Sequence, residues 1–313
     1  MLRLMLVLAA ASIVLGVGVA SASPPAPGNE AGPGTDLVNF VPARGDAHAQ
    51  AARTSSGGNL VYHGGKVLRT NRTVAIYWGP SSGFQAGYDT LIGQYFSDVA
   101  HDSGSTGNVY SVLSQYYDGT GPISYASSTG TAIYDTSAYP ASGCSDTVSQ
   151  TSICLSDSQF RAEIAKVVQS PDPNTTYFVF TGRGVGSCYS SSSCAFSNYC
   201  AYHSSFGSGS SLTLYANQPY TETVSGACGT GKAPNGDQAA DSTINVVSHE
   251  HSEAITDGLG NAWYDRRGYE NGDKCAWNFG AATGNYNQTI NGHHYYLQQE
   301  WSNARSGCVL TGL

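Results

Sequence analysis

The sequence predicts an α+β (or α/β) fold: a mixed sheet, one functional helix and a loop-rich C-terminal part stapled by disulfides. Three observations lead there. Strand-like and helix-like segments alternate between residues 73 and 181, and a charged stretch of helical period follows near residue 250. All eight cysteines fall in the latter part of the chain, from Cys144 to Cys308.

Residues 73–78 (Thr-Val-Ala-Ile-Tyr-Trp) form an unbroken apolar run of strand length, which reads as a buried strand. In residues 86–100, Leu91, Ile92, Tyr95, Phe96 and Val99 recur at helical spacing. Residues 121–134 look like strand and turn material, and Phe160, Ile164, Val167 and Val168 mark a second amphipathic helix. Residues 177–181 (Tyr-Phe-Val-Phe-Thr) predict a strong strand, and residues 212–215 another.

The chain opens with Arg3, an almost unbroken apolar stretch over residues 4–19, and Ala20-Ser21-Ala22. That order fits a cleaved export signal over residues 1–22, and hence a secreted, extracellular protein. Residues 23–57 are rich in Pro, Gly and Ala without periodicity, as a flexible linker or a propeptide would be. Residues 58–313 then suit one large domain or a two-lobed one. Only 12% of residues are charged, the net charge is −8, and there is no basic run. Nucleic acid is therefore not an expected partner, nor is a membrane once the signal is cleaved.

Eight cysteines in an exported chain predict four disulfides among Cys144, Cys154, Cys188, Cys194, Cys200, Cys228, Cys275 and Cys308. Short loops favour Cys144–Cys154, and Cys275–Cys308 would tie the segment after residue 270 to the C-terminus. No Cys-x-x-Cys spacing suggests a thiolate metal site.

Residues 248–257 read Ser-His-Glu-His-Ser-Glu-Ala-Ile-Thr-Asp. On a helix capped by Asp241, Ser242 or Thr243 and ending at Gly258, His249 and Glu253 share one face. They project about 140° and 180° from Ile244, with Glu250 near about 240°. His251 falls inside the apolar stripe and reads as a hydrogen-bonded core histidine. The pattern is that of a zincin-like active-site helix with a carboxylate in place of the second imidazole. His249 and Glu253 would grip one zinc ion, and Glu250 would handle a metal-bound water. The third ligand is expected from Glu270-Asn271-Gly272-Asp273-Lys274-Cys275, Asp273 slightly ahead of Glu270, with calcium or a solvated acidic turn as alternatives. His203, Tyr269 and His293 are further candidates, for ligation, the oxyanion or substrate contact.

A set of ordered motifs spans residues 60–303. It includes Val61-Tyr62-His63-Gly64-Gly65-Lys66-Val67-Leu68, Tyr77-Trp78-Gly79, Cys200-Ala201-Tyr202-His203 and Ala233-Pro234-Asn235-Gly236-Asp237. It continues through residues 248–256, Asn261-Ala262-Trp263-Tyr264, Glu270-x-x-Asp273-x-Cys275 and Asn291-Gly292 leading to Trp301. In these the chain resembles the EXORDIUM family, also called phosphate-induced proteins, known from plant cell walls and from microbes. It departs from the family in a Ser/Cys-rich insertion over residues 186–199 and in Gly258, where proline would be usual. The resemblance carries over the His249-Glu250-x-x-Glu253 helix and the acidic cluster, but no established activity. The leading expectation is a secreted zinc-dependent hydrolase, a metallopeptidase acting on a peptide or protein. The alternative is a non-enzymatic extracellular protein that binds a cell-wall carbohydrate or a surface partner. A glycosidase with paired carboxylates such as Glu250 and Glu270 ranks behind both, because it leaves the His249–Glu253 spacing unexplained.

Overall fold

The structure is a computed structural model that describes residues 30–31, 37–38, 40–46, 58–146, 149–281 and 284–312. The signal read over residues 1–22 lies outside them. Among the described residues no helix is long and apolar enough to cross a membrane.

Among the described residues, seven strands form the main sheet. In chain order they are β1 (Phe40–Pro42), β2 (Asn71–Trp78), β3 (Ser127–Thr129), β4 (Ile133–Asp135), β5 (Thr175–Thr181), β6 (Tyr199–Phe206) and β7 (Thr213–Gln218). Their order across the sheet is β1-β6-β7-β5-β2-β3, with β4 also pairing with β2. The central pairs β7/β5, β5/β2, β2/β3 and β2/β4 are parallel. The β1–β6–β7 end is antiparallel. The fold is α+β, with a mixed sheet.

Every residue of β5 is buried. That explains its unbroken apolar reading, because parallel strands covered on both faces lose the polar alternation of a half-exposed sheet. One face presents Ala75, Tyr77, Phe178, Phe180, Leu214 and Ala216 to helices α1 (Tyr88–His101) and α3 (Gln238–Asp257). The other presents Val74, Ile76, Trp78, Tyr177, Val179 and Tyr215 to α2 (Asp157–Val167). Aromatic contacts fix both layers: Phe96 of α1 lies 5.1 Å from Phe178, and Phe160 of α2 meets Trp78 edge-on at 5.6 Å.

Helix α3 starts earlier than its sequence suggests. Asp237 is the N-cap, accepting from Ala239 N and Ala240 N, so Asp241, Ser242 and Thr243 lie inside the helix. Every residue from Ala239 to Asp257 is buried. The polar stripe of this helix faces protein rather than water.

The four disulfides pair Cys144–Cys154, Cys188–Cys194, Cys200–Cys228 and Cys275–Cys308. Cys200 sits in β6, so His203 rides on a strand of the main sheet rather than on an anchored loop. The C-terminal part consists of short hairpins, Gln288–Ile290 with His293–Tyr295 and Glu300–Ser302 with Gly307–Val309. Cys275–Cys308 ties the second hairpin to the acidic loop, closing a separation of 33 residues. A link of that span reduces the entropy of the unfolded chain by the equivalent of about 4 kcal/mol.

Candidate metal centre

Three elements converge on the polar stripe of α3. The helix itself supplies His249, Glu250 and Glu253. Strand β6 supplies His203, which pairs in register with Ala216 of β7 on the face that α3 covers. The loop around the turn Asp273–Cys275 supplies Glu270 and Asp273. None of these six residues is more than 4% exposed.

The distances sort them into two linked groups. His249 Nε2 lies 3.0 Å from Glu253 Oε1 and 3.6 Å from Asp273 Oδ1. His203 Nδ1 lies 3.0 Å from Glu250 Oε2 and 3.7 Å from Glu253 Oε2, while its Nε2 lies 3.8 Å from Glu270 Oε2. Glu253 thus bridges the groups. The structure puts Asp273 beside His249 and Glu270 beside His203. The loop is held in register by Asp273 N donating to Glu253 Oε1 (2.8 Å) and Glu270 N donating to Asp273 Oδ2 (3.1 Å). Gly272 is required there by space: a Cβ would fall 2.9 Å from both Glu253 Oε1 and the His249 ring.

Of the other candidates, Tyr269 lies within electrostatic reach of Asp273, whereas His293 stands apart. Tyr269 is buried, but its ring stacks under the Arg267 guanidinium at 4.9 Å. His293 is half exposed and pairs with Asp98 of α1 through Nδ1 at 2.8 Å. Sequence reasoning missed Gln298, whose Nε2 lies 2.9 Å from His249 Nδ1 and donates to Gly272 O at 3.0 Å. It also missed Glu300, which is fully buried and electrostatically coupled to His249, Glu253 and Asp273. Neither carries a local signal, since both are single polar residues, 41 and 43 positions beyond the end of the helix they serve.

The electrostatics are lopsided. Among the described residues, Glu250, Glu253, Asp257, Glu270, Asp273 and Glu300 are buried around two imidazoles, with the buried Lys274 ammonium held by Asp265 at 3.1 Å. Burial pushes the Glu250 carboxyl above its usual range, against the pull of His203 and His249. Burial and then Asp273 push Glu253 up, and burial lifts Asp257 to about 7. Burial alone would make both imidazoles less basic. The carboxylates overrule it: Glu253 and Asp273 raise His249 well above the ordinary imidazole value, and Glu250 and Glu253 raise His203.

This donor set fits a divalent transition-metal ion. One imidazole and two carboxylates, His249, Glu253 and Asp273, bring ligand atoms within 4.8 Å of one another. Glu253 Oε2 is buried without a hydrogen bond, and His249 Nε2 faces Glu253 Oε1 and Asp273 Oδ1 without forming a well-aligned one. Ligation would need the His249 proton on Nδ1. As oriented, the Gln298 amide presents nitrogen to Nδ1, with its oxygen accepting from Trp277 N at 3.3 Å. A half-turn of that amide makes Nδ1 the donor and frees Nε2, in exchange for the bonds to Gly272 and Trp277. The cysteines offer no thiolate, because all eight are joined in disulfides.

A family model described as the phosphate-induced protein 1 conserved region matches residues 60–310. Comparisons with curated proteins and with solved structures return no match.

Proposed function

The chain belongs to the phosphate-induced protein 1 family, and we propose that it is a secreted zinc-dependent hydrolase that cleaves peptide bonds. The observation that carries this reading is the convergence of His249, Glu253 and Asp273, with Glu250 beside them, in a buried site overloaded with carboxylates. The imidazole in the donor set favours zinc over calcium, which takes oxygen ligands. When bound, such an ion lowers the pKa of a coordinated water toward neutrality and polarises a carbonyl.

The protein residues supply the rest. Glu250 adjoins the ligand set without belonging to the His249 group. Its raised pKa makes it a stronger base than an ordinary carboxylate, suited to take a proton and pass it to a leaving amine. His203, made more basic by Glu250 and Glu253, orients Glu250 through Nδ1 and, when protonated, offers positive charge to a developing oxyanion. Gln298, once its amide is turned, sets the ligating His249 tautomer, and Gly272 lets the acidic loop close on the helix. Two carboxylate ligands reduce the net charge of a dication, so a slow or narrowly specific enzyme is expected.

The test is turnover of a peptide library by mature protein recovered from culture medium, with and without Glu250→Gln. The variant should keep its fold and zinc while losing about 10²–10⁴-fold in rate. Equal turnover by both proteins would overturn the assignment.

A further inference from the structure

Strand β1 lies outside the family region, which begins at residue 60, yet it sits against the catalytic candidates. It pairs antiparallel with the free edge of β6, Phe40 opposite Tyr202, Val41 opposite Ala201 and Pro42 opposite Tyr199. Phe40 enters an aromatic box, stacked on Tyr199 at 5.1 Å and edge-on to Tyr189 and Tyr202 at 5.8 and 5.9 Å. Val41 is fully buried, and its N–H points at Glu250 Oε1 at 3.4 Å. The chain beyond is gripped through its backbone. Trp277 Nε1 donates to Pro42 O at 2.7 Å, Ala43 N donates to Asn198 O at 2.9 Å, and Arg44 N donates to Ala227 O at 2.8 Å. The Arg44 guanidinium lies over Trp277 at 4.9 Å.

Backbone pairing along a sheet edge, with one side chain in a pocket, is how proteins recognise extended peptides. The residues that seat the segment all lie within 60–310, with Tyr189, Asn198 and Tyr199 in the insertion over residues 186–199; the segment itself lies outside that span. Its N–H occupies one oxygen of Glu250 while His203 occupies the other. We propose that the β6 edge is a peptide-binding groove with an aromatic subsite made by Tyr189, Tyr199 and Tyr202, and that residues 40–46 fill it as an internal competitor. The groove would take an extended peptide whose aromatic residue is followed by a small apolar one. The competitor role, unlike the groove itself, rests on the hydrolase reading above. Residues 47–57, which join the segment to the family region, carry Arg53 among otherwise small or polar residues and His48. A cut there would leave the segment held by non-covalent contacts only.

The experiment uses the full chain with a site-specific protease sequence placed within residues 47–57 and cut after folding. The probe is a fluorescent peptide of residues 37–46 (Leu-Val-Asn-Phe-Val-Pro-Ala-Arg-Gly-Asp). It should exchange for the released fragment and bind at least tenfold more tightly than its F40A and V41P counterparts. Failure to exchange, or equal binding of the three peptides, would overturn the groove. Zinc-loaded, fragment-free protein should gain peptide turnover that the same peptide inhibits. Exchange with the expected selectivity but no turnover would leave the groove standing and remove the hydrolase reading with its competitor role.

Discussion

His249 and His251 stand two residues apart on one helix, both fully buried, and their surroundings give them opposite chemistry. His251 faces the layer shared with α1. Its Nδ1 meets Tyr110 Oη and its Nε2 meets Asn71 Oδ1, each at 2.9 Å, and Phe96 and Phe178 enclose it edge-on. With no charge nearby, burial lowers its pKa to about 3, so it stays neutral. His249 faces β6 and the acidic loop, where carboxylates outweigh the same burial. Depth therefore does not decide what a histidine does; the charge of its neighbours does.

The comparison can be broken on either face. The largest effect should come from the acidic one: Glu250→Gln should lower peptide turnover by about 10²–10⁴-fold, read in steady-state assays, while His251→Asn should not lose zinc. Next, His251→Ala should cost about 2–4 kcal/mol of stability in denaturant melts, through a cavity and the stranded hydrogen-bond partners Tyr110 and Asn71. Gln298→Leu should weaken zinc affinity by about 10–100-fold, measured by competition with a chelating dye.

A smaller effect separates the two histidines by sign. The folded pKa of His251 lies below the unfolded value, so its contribution is fully present above about pH 6.5 and is lost as pH falls toward about 3. The folded pKa of His249 is raised, so without metal its contribution is present in acid and lost as pH rises. Melts in chelator at several pH values below 6.5 should therefore show a flatter pH slope for His251→Asn than for the parent, by at most about 1.4 kcal/mol per pH unit.

Much of the centre was legible because it is local. The four-residue spacing of His249 and Glu253, the inward turn of His251 and the downstream pair Glu270 and Asp273 are all properties of short segments. The α+β class followed from periodicity, Cys144–Cys154 from its short loop, and Cys275–Cys308 from the expectation of a tie to the C-terminus. What the sequence hid is long-range. Tyr199–Phe206 reads Tyr-Cys-Ala-Tyr-His-Ser-Ser-Phe, with no clean alternation, because its first half is buried on both faces and its second half reaches the edge. Gln298 meets His249 across 49 residues, and Val41 meets Glu250 across 209. A three-residue strand containing a proline has no period to detect.

The most direct test is the metal content of the purified mature protein by elemental mass spectrometry, beside His249→Ala and His251→Asn. About one zinc per chain, kept in His251→Asn and lost in a folded His249→Ala, is the predicted result. Calcium alone, no metal in folded parent protein prepared without chelators, or full zinc retention in His249→Ala would contradict the proposed centre.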